Sequence, residues 1–293
     1  MSCVYESDIK IIDTYLDTFN NTNISKYLGN WIHNIDNFKN KFLCAEPFEH
    51  VVIDNFLNND YAEKIASLFP DDLSRWHKYC NPIEVKYAYD NINTLPVDLK
   101  DYFYIMSCEP FMDIVKSITN IKDLEYDPYL HGAGLHRHGN HGKLDIHLDY
   151  EKHPYSGKER RINIILFLSK DWKEEWNGAN ELWNKDVSEC VQKTHIKFNR
   201  AIIFKTNDVS WHGMPDTITC PENTYRSSLA YYYVSPLCSM KAETEYRMKA
   251  AYTKRPQDPY DANKLELFKI RSNRRITQED LLKYCPTWTI NET

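Results

Sequence analysis

The chain has 293 residues, 42% of them hydrophobic and 27% charged, which supports a packed core and excludes a disordered polymer. A net charge of −6 argues against bulk binding to nucleic acid or to an anionic membrane. No apolar run approaches the roughly 18 residues that span a bilayer. Glu6, Asp8 and Asp13 sit where a secretory signal would be apolar, so a cytoplasmic or other reducing intracellular setting is expected. The eight cysteines (Cys3, Cys44, Cys80, Cys108, Cys190, Cys220, Cys238 and Cys285) show no C-x-x-C spacing, which fits reduced thiols better than a disulfide frame or a zinc site.

In chain order, Ile11, Ile12, Tyr15, Leu16 and Phe19 form an apolar stripe at helical spacing, which predicts a helical lead-in over residues 1–42. Phe48 to Ile53 reads as a short strand. Asn58, Asn59 and Asp60 offer N-caps for a helix of about ten residues that Pro70 stops, with Glu63 three residues after Asp60 as in a capping box. Leu99, Tyr102, Phe103, Met106, Phe111, Ile114, Val115 and Ile118 predict one or two helices broken near Pro110. From Leu124 the pattern turns to strands: 144–150, Ile162 to Leu168, Asn180 to Trp183, Ala201 to Lys205 and Ser227 to Val234. Short strands separated by turn residues predict a sandwich or jelly-roll barrel. Residues 241–293 are again charged and helix-like, with Thr277 to Asp280 opening a last helix and the basic stretch Lys264 to Arg275 expected to be a solvated helical face. The expected organisation is a helical N-terminal extension (1–46), a main domain (47–240, helical support over 47–122 and β core over 123–240), and a helical C-terminal tail (241–293) packed on or near the core.

The chemistry starts at Ile146-His147-Leu148-Asp149-Tyr150. Side chains alternate along a strand, so His147 and Asp149 share one face while Ile146 and Leu148 take the other. An imidazole and a carboxylate are two thirds of a facial metal site, and His212, in Trp211-His212-Gly213, is the candidate third ligand. Two histidines and one carboxylate with open positions form the ligand set of non-heme Fe(II) oxygenases. Further on, Arg226 and Ser228 share a strand face. A buried arginine requires an anion, and arginine grips a carboxylate through two parallel hydrogen bonds, with serine able to add a third. A small dicarboxylic keto acid satisfies both features, its keto-acid end on the metal and its far carboxylate on Arg226. His136, Tyr150, Asn163 and Trp211 are candidates to shape a pocket, with packing an equal reading for each. His131, His136, His138, His141 and His153 crowd the same region and read as rim histidines, because no pair has a strong ligand spacing with a carboxylate.

These residues, in this order, resemble a 2-oxoglutarate- and Fe(II)-dependent dioxygenase of the prolyl 4-hydroxylase-like group. The likeness runs from about Pro47 to Pro236. It is carried by Pro47 to Leu57, Asp127-Pro128, Gly134-Leu135-His136, Leu144 to Tyr150, Arg160 to Leu168, Asp171 to Trp176, Phe198 to Phe204, His212 to Pro215 and Arg226 to Tyr233. Gly178-Ala179 stands where the family usually has two glycines. The resemblance implies a double-stranded β-helix (α+β, mainly a β core, jelly-roll and cupin-like) with flanking N-terminal helices and a helical C-terminal extension. It implies Fe(II) on His147, Asp149 and His212, and the distal carboxylate of 2-oxoglutarate on Arg226 with help from Ser228. O2 is the other co-substrate, and ascorbate is a candidate stimulant. The implied activity is hydroxylation of an unactivated C–H, first of a prolyl residue in a protein or peptide. The alternatives are the same chemistry on a sugar, lipid, nucleotide or amino acid, and a cupin-like binding module without turnover. The complete ligand set argues against the last.

Overall fold

The computed structural model describes residues 15–288, so Ile11 and Ile12 of the predicted lead-in lie outside the described residues. Tyr15, Leu16 and Phe19 lie within a helical segment, residues 15–20. Leu16 and Phe19 are buried there, and Tyr15 stacks on Tyr104 with ring centroids 5.2 Å apart.

Thirteen strands of the described residues join one sheet. They are β1 (His50–Asp54), β2 (His77–Asn81), β3 (Glu84–Tyr89), β4 (Glu125–Tyr126), β5 (Gly134–His138), β6 (Lys143–Leu148), β7 (Glu159–Phe167), β8 (Asn180–Trp183), β9 (Cys190–Thr194), β10 (Arg200–Lys205), β11 (His212–Met214), β12 (Arg226–Ser235) and β13 (Ala251–Tyr252). The order is β1-β10-β7-β12-β5-β3-β6-β11-β8-β9, with β13 on β6, β2 on β3 and β4 on β12. All the pairings are antiparallel. The sheet rolls over on itself. Phe204 of β10 and His212 of β11, well separated along that path, meet with ring centroids 4.7 Å apart. This is the jelly-roll, a double-stranded β-helix with flanking helices.

The apolar runs of β7, β10 and β12 follow from burial on both faces, which removes the alternation of a half-exposed strand. One face of these strands offers Ile162, Ile164, Leu166, Ile203, Leu229 and Tyr231 to the helices, where Leu99, Phe103, Met106 and Phe111 complete the main core. The other face turns Phe167, Ile202 and Phe204 inward, against Leu182 of β8. The two supporting helices are Val97–Ser107 and Glu109–Thr119. Pro110 has no amide hydrogen to continue the first, and the chain goes extended at Cys108 just before it. The earlier helix, Asn59–Ser67, is capped by Asn58, which accepts from the amides of Asp60 and Tyr61. Asp60 therefore lies inside the first turn and is not the cap.

The C-terminal part differs from the expected helical tail. It contains helices Ala262–Arg271 and Gln278–Tyr284, but it also adds β13 to the edge of β6. Its basic stretch is not simply solvated, because Lys264 pairs with Asp145 at 2.7 Å and Arg271 with the buried Glu84 at 3.0 Å. Among the described residues no helix is long and apolar enough to cross a membrane. Cys44, Cys80, Cys108, Cys190, Cys220, Cys238 and Cys285 are free thiols.

Asn199 joins the β layer to the helices. It sits in the left-handed region (φ 59°), which asparagine tolerates better than most residues. Its amide accepts from Leu57 N–H at 2.8 Å and donates to Leu57 C=O at 2.8 Å and to Asn59 Oδ1 at 2.9 Å. Asn199→Ala strands both polar groups of the buried Leu57 and strains the backbone. A loss of about 3 kcal/mol in urea unfolding is expected, and a loss below about 1 kcal/mol would contradict the bracing role.

Candidate metal centre and co-substrate pocket

His147 ends the inward row of β6, and Asp149 follows just past the strand end. Antiparallel pairing sets His212 of β11 directly opposite His147. The rings lie 4.4 Å apart. One ligand atom from each of His147, Asp149 and His212 falls within 4.8 Å of the other two. His147 Nε2 is 3.7 Å from Asp149 Oδ1, and His212 Nε2 is 3.8 Å from Asp149 Oδ2. Three donors bound at about 2.0–2.2 Å on one face of a cation stand about 3 Å apart, so small rotations of these side chains would bring them onto one ion. The sheet comes this close because residue 213 is glycine: a Cβ there would meet Leu144 O at 2.8 Å and Asp145 O at 2.9 Å.

The donor chemistry fits a divalent metal. His147 Nδ1 lies 2.9 Å from Asp145 O and His212 Nδ1 2.8 Å from Ser210 O. Each carbonyl holds a proton on Nδ1 and so leaves the Nε2 lone pair free for a metal. Burial, then the neighbouring His212, pushes His147 down to about 3, so it is neutral at physiological pH. For Asp149, burial works against the charge, but His212, Arg160 and His147 outweigh it and hold the carboxyl below its ordinary value. Asp149 Oδ2 is buried without a hydrogen-bond partner. An orphaned, ionised oxygen facing two free imidazole nitrogens is what an Fe(II) ion would satisfy.

The second half of the pocket lies on β12 and β5. Arg226 and Ser228 oppose His138 and His136 in register, so all four share the inner face. Arg226 is buried, and burial lowers its guanidinium to about 9. Its Nε donates to Gly178 O at 2.8 Å, from a loop that needs glycine at φ +86°. No carboxylate of the described residues lies within 4.0 Å of it. Ser228 Oγ and both ring nitrogens of His138 are likewise buried without partners. A buried cation beside unsatisfied donors suits a carboxylate ligand. Lys86 of β3 adds a second, largely buried cation. Its ammonium is lowered by burial, and its acid partner Glu84, at 4.0 Å, is already shared with Arg271.

The other sequence candidates divide. Asn163 faces inward opposite Phe204 and Tyr232, its Oδ1 unpartnered. Tyr150 donates to His131 O at 2.6 Å and stacks under Arg160, whose guanidinium carbon is 3.6 Å from its ring centroid and 3.4 Å from that of Tyr232. Arg160, which the sequence reading passed over, lies 3.8 Å from Asp149 Oδ1. Trp211 goes the other way, packing with Ile146, Trp183 and Val187 off the metal face, as alternation with His212 requires. The rim reading of the histidines also needs correction: His136 and His138 belong to strand β5, and His153 is buried on Asp127 at 3.2 Å. The sequence reading also missed Lys86, Tyr232, Arg247 and Tyr252. Of these, Tyr252 stacks on His147 at 5.2 Å. Its one sequence signal is Ala250-Ala251-Tyr252, a short apolar island in a charged stretch.

A rolled antiparallel β-helix that presents two imidazoles and a carboxylate around an open face defines a non-heme iron oxygenase. Residues 133–234 match the family model described as the 2OG-Fe(II) oxygenase superfamily, a span that holds His147, Asp149, His212 and Arg226. Residues 133–234 thus carry a 2-oxoglutarate- and Fe(II)-dependent oxygenase domain, whose chemistry takes Fe(II) as cofactor and 2-oxoglutarate and O2 as co-substrates. Among solved structures, a prolyl hydroxylase from Trichoplax adhaerens, in complex with a hypoxia inducible factor oxygen degradation domain peptide fragment, is 14% identical. The match covers 72% of this chain and 96% of that one, with a TM-score of 0.51. A prolyl-4-hydroxylase from Pseudomonas putida is 14% identical over 68% of this chain and 99% of that one, with a TM-score of 0.47. A prolyl 4-hydroxylase from Phytophthora capsici is 19% identical over 88% and 75%, with a TM-score of 0.45. At 14% identity the likeness to the Trichoplax adhaerens enzyme is one of fold. No curated protein sequence matches the chain.

The buried neutral imidazoles make the metal-free protein acid-sensitive. His147 (about 3) and His138 (well below its ordinary value) stay unprotonated when folded, whereas unfolded imidazoles protonate near ~6.5. Below that pH the unfolded chain binds more protons, so stability falls as pH drops from ~6.5 toward 3 and is level above it, by up to about 1.4 kcal/mol per pH unit per group. Urea unfolding of metal-free protein at pH 7.5, 6.5 and 5.5 checks this, and His138→Gln should flatten the slope.

Proposed function

We propose that the protein hydroxylates an unactivated C–H of a prolyl residue in a protein or peptide, with His147, Asp149 and His212 holding Fe(II) and Arg226, aided by Ser228, holding the distal carboxylate of 2-oxoglutarate. The observation that carries the site assignment is the convergence of three free donor groups on a β-helix whose buried Arg226 guanidinium has no acid partner among the described residues. The prolyl substrate is taken from the shared fold with the peptide-bound Trichoplax adhaerens enzyme.

When bound, the iron supplies oxidative decarboxylation of 2-oxoglutarate by O2, coupled to oxygen insertion into the C–H bond. The chain does the rest. Asp145 O and Ser210 O hold the two imidazoles in the tautomer that offers Nε2. Arg226 and Ser228 set the depth and direction of the co-substrate. Phe167 and Phe204 line the interior beside them and exclude water. Arg160, clamped between Tyr150 and Tyr232, keeps positive charge next to Asp149. No side chain is needed as a general base.

A second reading, the same reaction on a small acid, is favoured by one observation. Lys86 gives the interior a second buried cation, and 2-oxoglutarate needs only one for its far end. Succinate release across a panel of prolyl peptides and small carboxylic acids separates the two. Stimulation by prolyl peptides alone supports the first reading, and stimulation by small acids alone overturns it.

Arg226→Ala should raise KM for 2-oxoglutarate by about 30-fold or more while metal binding is retained. Asp149→Ala should lose metal binding and, with it, the visible charge-transfer band expected when Fe(II) and 2-oxoglutarate are added without oxygen. Equal loss of metal and co-substrate affinity in Arg226→Ala would contradict its assigned role.

A further inference from the structure

The matched domain ends at residue 234, yet two side chains from beyond it reach the metal-ligand segments. Arg247 is the first. Its Nε donates to Asp149 O at 2.8 Å, its Nη1 pairs with Asp208 Oδ1 at 3.1 Å, and its Nη2 reaches Asn207 O at 3.5 Å. Residues 207–210 are the loop that leads into His212, and Ser210 O fixes the His212 ring. One guanidinium thus ties the main chain of one metal-ligand residue to the loop that aims another. The Arg247 main chain is itself held, its N–H on Glu151 Oε2 at 2.8 Å and its C=O accepting from Glu151 N–H at 2.7 Å.

Tyr252 is the second. On β13 it stands opposite His147 in register, and its ring stacks on the His147 imidazole at 5.2 Å with 22° between planes. Phe268 stacks on Tyr252 at 6.0 Å and 19°. The Tyr252 hydroxyl donates to the buried Glu84 at 3.4 Å, which Arg271 also grips. A hydrogen bond at Nδ1 alone leaves an imidazole free to tilt about that contact. A ring packed on its face removes the tilt, and outer-shell contacts of this kind tune metal affinity.

We propose that Arg247 and Tyr252 are positioning residues for the metal centre: Arg247 locks Asp149 to the His212 loop, and Tyr252 sets the plane of the His147 ring. The C-terminal segment is therefore part of the oxygenase site. This rests on the reading that His147, Asp149 and His212 bind the metal.

The test titrates Co(II) into the full-length metal-free protein and follows its visible d–d absorption. Asp149→Ala reports on the metal reading itself. Wild type and Tyr252→Phe, which keeps the stacked ring, are expected to bind alike. Tyr252→Ala and Arg247→Gln are expected to bind about tenfold more weakly, with an altered band shape at unchanged far-UV dichroism. Met248→Ala, on an exposed residue of the same segment, should match wild type. Wild-type affinity and band shape in Tyr252→Ala and Arg247→Gln would overturn the proposal, as would an equal loss in Tyr252→Phe and Tyr252→Ala. Should Tyr252→Ala fail to fold, Arg247→Gln, which removes no core volume, decides. Failure of wild type to bind Co(II) would instead remove the metal reading.

Discussion

The register between β11 and β6 is the constraint on which the site rests. His212 stands opposite His147, and a slip of one residue would send one imidazole to the outer face. The pairing is short, with a register shift between His212 and Met214, so it does not hold itself by ladder length. It is held by close approach at Gly213, by Leu182 of β8 on the far side, and by the carbonyls that orient both rings.

Around that pairing the interior places charge against burial. Arg226 stays buried with only Gly178 O as a hydrogen-bond partner for its Nε, and Asp149 leaves one oxygen without any partner. Such groups cost stability in the empty protein. The apolar layer of Tyr102, Phe103, Tyr231 and Tyr233, all essentially inaccessible to solvent, lies on the opposite face of the same sheet and offsets that cost. Arg160 sits differently: two tyrosine rings sandwich its guanidinium, and this lets a third buried cation stand near the metal ligands.

What could be read from the sequence was local. Alternation placed His147 and Asp149 together, and the buried runs of β7, β10 and β12 announced themselves by their apolar residues. The joint order of His147, Asp149, His212 and Arg226 supplied the long-range step that spacing alone does not. The hairpin β2–β3 was missed because His77 to Tyr89 mixes polar and aromatic residues without alternation; it is a strand pair because β5 and β6 accept β3 between them. Trp211 reads equally as a pocket aromatic near the strand mouth or as packing, and the alternation that aims His212 inward turns it out to the packing role. Arg247 and Tyr252 carry no motif, since their contacts exist only once distant parts of the chain have met.

Because β13 closes on β6 last in sequence, the order of synthesis has a consequence for maturation. β6 is flanked by β3 and β11, but its His147–Leu148 end gains a partner beyond β3 only when β13 pairs there, late in a chain that is made from its N-terminus. Until that pairing is made, the backbone on one side of His147 lacks its strand partner, so the metal-ligand strand is completed last.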